Sequence, residues 1–203
     1  MGRHQQNTKG KIIAAAWELF YDQGYESTTV DEIIAVSQTS KGSFYHYFSS
    51  KDALLGSLSY LFDEKYEALT PMLSSFDTCM ERLLFLNREL FTMIENSISL
   101  ELLTRLYSSQ LVTKGEKHLL DRSRYYFRLL RQIFTHGQNI GEFRRDLSVN
   151  DLVKLYAVTE RSLIYDWCIC AGEYSLISYG SQMMPVLLSG ILNTPVPPKN
   201  DPA

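Results

Sequence analysis

Four of the six prolines fall in the last nine residues, so nearly all of the chain upstream is free of the residue that most strongly breaks a helix. Apolar residues in that long stretch recur at steps of three and four, the helical period, and no segment reads as a strand. An all-α fold is therefore expected. A first helix spans 11–23 on Ile12, Ile13, Ala15, Ala16, Leu19 and Phe20, with Gly24 where it would end. Thr29 and Glu32 have capping-box spacing and start a second helix that runs only to about Val36. Ser40 offers an N-cap to a third short helix, 41–47, in which Phe44 and Phe48 form an i, i+4 apolar pair. Ser49 and Asp52 repeat the capping-box spacing and launch a longer fourth helix through Leu54, Leu55, Leu58, Leu61 and Phe62 toward Tyr66. Beyond Pro71 the pattern predicts helices over 77–96, 99–111, 115–138, 150–171 and 175–192, with a kink or break at Pro185. That makes about nine helices, followed by a Pro-rich tail, 194–203, expected to be unstructured.

A chain of 203 residues can bury a real core, and 45% apolar with 21% charged residues is the profile of a globular protein. No run approaches the length of a membrane span and the N-terminus lacks a signal-peptide profile, so a cytoplasmic protein without membrane contact is expected. Three cysteines make no disulfide framework. Cys168 and Cys170, two apart on a predicted helix, face different directions and read as packing thiols, not metal ligands. His118 and His136 lie too far apart on their predicted helix to share a metal. No glycine-rich phosphate loop, metal quartet or nucleophile–base–orienter set appears, so neither catalysis, nor a metal, nor a cofactor is expected.

The net charge of −3 hides an uneven distribution. Residues 1–11 hold Arg3, Lys9 and Lys11 and no acid, and the 19 residues between Glu32 and Asp52 hold Lys41, His46 and Lys51 and no carboxylate. Phosphate can approach there. The basic N-terminal arm reads either as a solvated tail or as a minor-groove or phosphate contact. Helices of two turns contribute little stability by themselves. A short helix, a tight turn and a second short helix packed across a longer first one form the helix-turn-helix that offers its second helix to a major groove. The third helix suits this role, because small Gly42 and Ser43 sit beside Lys41 at its N-terminal end while Phe44 and Phe48 point inward.

Residues 8–55 resemble the DNA-binding domain of the TetR family of bacterial transcriptional regulators. The resemblance rests on Ile12-Ile13-Ala14-Ala15-Ala16, Leu19-Phe20, Gly24-Tyr25 and Thr28-Thr29-Val30-Asp31-Glu32-Ile33. It continues in Ser40-Lys41-Gly42-Ser43-Phe44-Tyr45-His46-Tyr47-Phe48 and Ser50-Lys51-Asp52. It implies that Lys41, Gly42, Ser43 and His46 face base edges and that Thr29, Tyr45, Tyr47 and Lys51 contact phosphates. Where the family usually has alanine-glycine-valine in the turn, this chain has Ser37-Gln38-Thr39, so a left-handed backbone at Gln38 would be strained. Gly141-Glu142-Phe143 also resembles the family's regulatory half.

The resemblance further implies a small-molecule cavity in the later helices and pairing of the last two long helices with a second subunit. Glu160, Arg161 and Asp166 interrupt an otherwise apolar helix, and buried charges need partners, so they face a pocket, a dimer seam or solvent. Tyr126, Tyr156, Glu160 and Trp167 are the expected cavity-lining residues. The organisation expected is a helix-turn-helix domain over 1–52, a helical regulatory and dimerisation domain over 53–193, and the tail. The function expected is a homodimeric, ligand-responsive repressor reading a palindromic duplex operator. The alternative is an architectural or protein-recruiting DNA-binding protein without an effector.

Overall fold

The computed structural model describes residues 2–112 and 117–193; the Pro-rich tail and the Arg3 side chain of the basic arm lie outside the described residues. The fold is all-α, and the only extended pairing among the described residues is an isolated bridge between Phe143 and Leu192. Helices α1 (Gly2–Gln23), α2 (Val30–Ser37) and α3 (Lys41–Tyr47) pack on one another around Ile12, Ala16, Phe20, Ile33 and Phe44. The N-terminal basic residues are thus part of α1, where the Lys9 amine lies over the rings of Phe48 and Tyr60 at 6.0 and 5.5 Å.

The expected long fourth helix is divided into α4 (Lys51–Leu55) and α5 (Leu58–Leu69). Gly56 and Ser57 keep right-handed backbone angles but bond at three-residue spacing, Ser57 N–H to Leu54 and Tyr60 N–H to Ser57, which is a 3₁₀ turn inside a helix. Two tertiary contacts hold this turn. Trp17 Nε1 donates to the Ser57 hydroxyl at 2.9 Å, and the His118 ring occupies the space a Cβ on Gly56 would fill. The cap of α4 is Ser50 instead of Ser49, because Asp52 accepts a hydrogen bond from the Tyr25 hydroxyl and does not reach back to a serine amide.

A 3₁₀ turn (Thr70–Ser75) leads to α6 (Cys79–Ser97), α7 (Leu100–Val112), α8 (Tyr125–Asn139), α9 (Val149–Ile169) and α10 (Leu176–Leu188). Thr78 with Glu81 and Ser148 with Asp151 form capping boxes that fix the starts of α6 and α9. Glu142 adds a distant cap to α6, its carboxylate accepting from the Cys79 and Met80 amides at 2.8 and 2.7 Å. Beside it Phe143 is buried and packs at a tilt against Phe134, ring centres 5.3 Å apart. The helix expected over 115–138 begins only at Tyr125. Asp121 accepts from the Ser123 amide and hydroxyl, turning the chain, and Arg124 is drawn inward to Asp63. His118 and His136 therefore sit on different elements. Helix α10 continues through Pro185 and ends at Leu188, short of the expected end, in a further 3₁₀ turn (Ser189–Ile191). Among the described residues no helix is long and apolar enough to cross a membrane.

Candidate functional site

Thr29 caps α2 reciprocally with Glu32: its hydroxyl accepts from the Glu32 amide while the carboxylate accepts from the Thr29 amide at 2.7 Å. Those bonds hold the Glu32 carboxyl below the usual carboxylate range. At the other end of α2 the Thr39 amide donates to Ile34 and the Gln38 amide to Ala35, both at 3.2 Å. This paired closure is a Schellman motif, and it puts Gln38 in the left-handed region at φ 53, ψ 42. The expected strain is therefore accepted. Ser37 and Thr39 brace the turn through a hydroxyl pair at 2.8 Å.

Ser40 caps α3 by accepting from the Ser43 amide at 3.0 Å. Phe44 is fully buried and Phe48 nearly so, which turns Lys41, Gly42, Tyr45 and His46 outward along one exposed edge. Ser43 and Tyr47 are half-buried, and the Ser43 hydroxyl shares a hydrogen bond with Ser40. Lys41 makes a 3.2 Å ion pair with Asp31, both side chains being largely exposed, so the pair is weak. Thr29 is exposed at the start of α2.

Lys51 stands apart from that edge. Its amine donates to the carbonyls of Tyr25 and Thr28 at 2.6 and 2.7 Å and lies 4.2 Å from the Tyr25 ring centre, leaving one of its three N–H donors for a phosphate. The Arg105 guanidinium, from α7, lies 4.8 Å from the same ring and pairs with Glu26. Burial and the Asp52 carboxylate push the Tyr25 phenol well above the usual tyrosine range. Tyr25 is thus one of the points where the three-helix head is tied to the later helices, a role that nothing in its sequence neighbourhood marks.

Among α5, α6, α8 and α9 a buried polar group sits in an aromatic setting. Glu160 is 4% exposed, and it accepts from Asn87 Nδ2 at 3.2 Å and from the Tyr66 hydroxyl at 3.3 Å. Burial raises its carboxyl above the usual range against the pull of those bonds and of nearby Arg161. A cavity of about 30 Å³, room for one water, is lined by Phe62, Tyr66, Tyr107, Tyr126, Glu160 and Arg161 among others. The Tyr126 hydroxyl is buried beside the Glu160 carboxyl, and burial with that neighbouring charge raises the phenol well above the usual tyrosine range. Of the four residues expected to line a ligand cavity, Tyr126 and Glu160 border this one-water space. Tyr156 is buried beside them and donates to the Leu83 carbonyl, and Trp167 donates to the Tyr174 carbonyl away from the cavity. The lining residues Tyr66 and Tyr107 were not distinguished by the sequence from ordinary core aromatics. Arg124, held by a bidentate buried pair with Asp63, closes one wall.

Residues 12–58 match the family model for bacterial regulatory proteins of the tetR family. The fatty acid metabolism regulator protein of Bacillus subtilis is 25% identical over 187 residues, covering 90% of this chain and 95% of that protein. The structure of Thermus thermophilus FadR, a repressor in complex with lauroyl-CoA, superimposes with a TM-score of 0.72 at 23% identity over 96% of this chain and 99% of that one. Bacillus subtilis FadR in complex with stearoyl-CoA superimposes with a TM-score of 0.66 at 22% identity, covering 90% and 99%.

Proposed function

This chain belongs to the tetR family of bacterial regulatory proteins, and on that premise we propose that it is a cytoplasmic, homodimeric transcriptional repressor released from its operator by an acyl-coenzyme A. The observation that carries the reading is the exposed edge of α3. Lys41, Gly42, Tyr45 and His46 face outward while Phe44 and Phe48 anchor the helix from behind. With Ser43 at the helix start, Lys41, Gly42 and His46 meet base edges, and Thr29, Tyr45, Tyr47 and the remaining Lys51 donor hold phosphates. Residues 1–52 act as the reading head and 53–193 as the regulatory and dimerisation half.

One two-turn helix offers too few contacts for specific binding, so two copies must act together on half-sites about 34–36 Å apart, or a multiple of that. Support for the pairing surface comes from α9 and α10, where Leu155, Val158, Tyr165 and Ile169, at steps of three, seven and four, share an exposed face and Val186 and Leu187 are also exposed. The effector class is taken from the acyl-CoA complexes of the two superimposed regulators. An effector that favours one head spacing by about 1–3 kcal/mol suffices for regulation.

The test is selection of duplexes from a random pool by the purified chain, followed by binding measurements at fixed salt. The retained fragments should share a palindrome. Lys41→Ala should relax preference at one base position, and Tyr45→Phe should weaken all sequences about equally. No retained duplex at low salt would overturn the function, and a Tyr45→Phe variant altered only in base preference would overturn the division of roles.

A further inference from the structure

Between Asp121 and Glu142 the chain carries no carboxylate but four arginines, a second cationic stretch away from the reading head. One of them, Arg124, is consumed by Asp63. In the fold two others converge with two cations of α9. A surface groove of about 190 Å³ between α8, α9 and the 3₁₀ turn His118–Leu120 is lined by Arg122, Arg131, Lys154 and Arg161, with Phe127 and Ala157 in its floor. No carboxylate lines it. None of the four cations forms an ion pair among the described residues. The nearby acids are already engaged: Asp121 by Ser123, Asp151 by the Ser148 cap.

Four unpaired like charges around one concavity repel one another and focus a positive potential, which is relieved only by an anion of several charges. Guanidinium groups fit phosphate oxygens with paired donors, whereas a single carboxylate would neutralise only one of the four. The groove also has a neighbour. Arg161 lines both this groove and the small aromatic cleft around Glu160, so the two share a wall. A ligand with a polyphosphate head matches the four cations, and Phe127, Val153 and Ala157 offer apolar surface beside them. We infer that this groove seats the phosphates of the effector, a nucleotide-bearing acyl thioester. This rests on the effector class proposed above, and it assigns that ligand's charged half to particular residues.

The experiment is calorimetric titration of the full chain with dodecanoyl-coenzyme A, coenzyme A, dodecanoate and ATP, in wild type and in the charge-reversal variant Arg131→Glu/Lys154→Glu. Operator release is measured in parallel. Thermal melts verify folding, and Arg122→Glu serves as the second variant should the double one melt early. The expected result is that dodecanoyl-coenzyme A binds at least tenfold tighter than dodecanoate, weakens with added salt, and falls to the dodecanoate level in the variant. Dodecanoyl-coenzyme A that releases the operator equally from wild type and variant overturns the groove assignment and leaves the effector class standing. Coenzyme A and ATP that bind in a variant-sensitive manner, with no release of operator by the thioester, keep the groove as a phosphate site and overturn the effector class. An operator affinity reduced tenfold by the variant without any ligand would make the groove a DNA contact and overturn the inference.

Discussion

Replacing Gln38 by glycine tests the account of the turn that aims α3. Gln38 is exposed, its side chain makes no hydrogen bond in the structure, and its backbone stands at φ 53, ψ 42. An L-residue in the left-handed region costs about 1–2 kcal/mol, which glycine avoids. Glycine gives back about 0.5–1 kcal/mol through the greater freedom of the unfolded chain. The net expectation is a stabilisation of about 0.5–1 kcal/mol. In a chain of 203 residues that is a rise in melting temperature of about 1–4 °C. The two Schellman hydrogen bonds are main-chain bonds and survive, so operator affinity should stay within about twofold, on the scale where 1.4 kcal/mol is tenfold. Urea titrations read the stability and filter binding reads the affinity. Ala171→Gly is an internal comparison, since Ala171 holds φ 51 after α9 with the same bond pair, Gly172 to Trp167 and Ala171 to Cys168. A Gln38→Gly variant less stable than wild type, with Ala171→Gly stabilised, would refute the reasoning at the turn.

Glu160 supplies a pH signature. Its carboxyl titrates above the unfolded value when buried, so the fold retains a proton that the unfolded chain has lost. Stability is then greatest below the ordinary carboxylate range and falls, by about 1.4 kcal/mol per pH unit, until the folded carboxyl ionises. Glu160→Gln should flatten this fall, and parallel stability–pH curves for the two proteins between about pH 4 and 8 would count against it. Gly56→Ala should cost about 1–3 kcal/mol, because the new methyl group meets the His118 ring. In a His118→Ala background the same change should become neutral or favourable, since alanine suits the right-handed backbone there; a double-mutant cycle in denaturant measures the coupling.

The sequence marked what is local. The Thr29–Glu32 box, the Ser40 cap and the helical spacing of Phe44 and Phe48 depend on residues within a few positions of one another, and each is realised. Glu160 was visible as a charge inside an apolar helix. The features that escaped depend on distant partners. Leu54, Leu55 and Leu58 keep the helical period across Gly56, and the 3₁₀ turn there is held by Trp17 and His118 from other elements. Asp52 matched a capping pattern with Ser49, but Tyr25 claims its carboxylate. The same spacing that puts Trp167 on the buried side of α9 cannot tell that its indole is directed to Tyr174 and not to the cavity. The convergence of Arg122 and Arg131 with Lys154 and Arg161 needed α9 to pack beside α8.

An unbroken helix joining the head to the later helices would act as a stiff shaft, transmitting any tilt of one end directly to the other. The three-residue bonding at Gly56–Ser57 makes that shaft an elbow instead. Arg105 then works as a tie rod from α7, gripping Tyr25 and Glu26 to one side of the pivot. The orientation of the head is thus set at two places, this turn and the Arg105 contact, with only the single helical turn of α4 between the head and the turn.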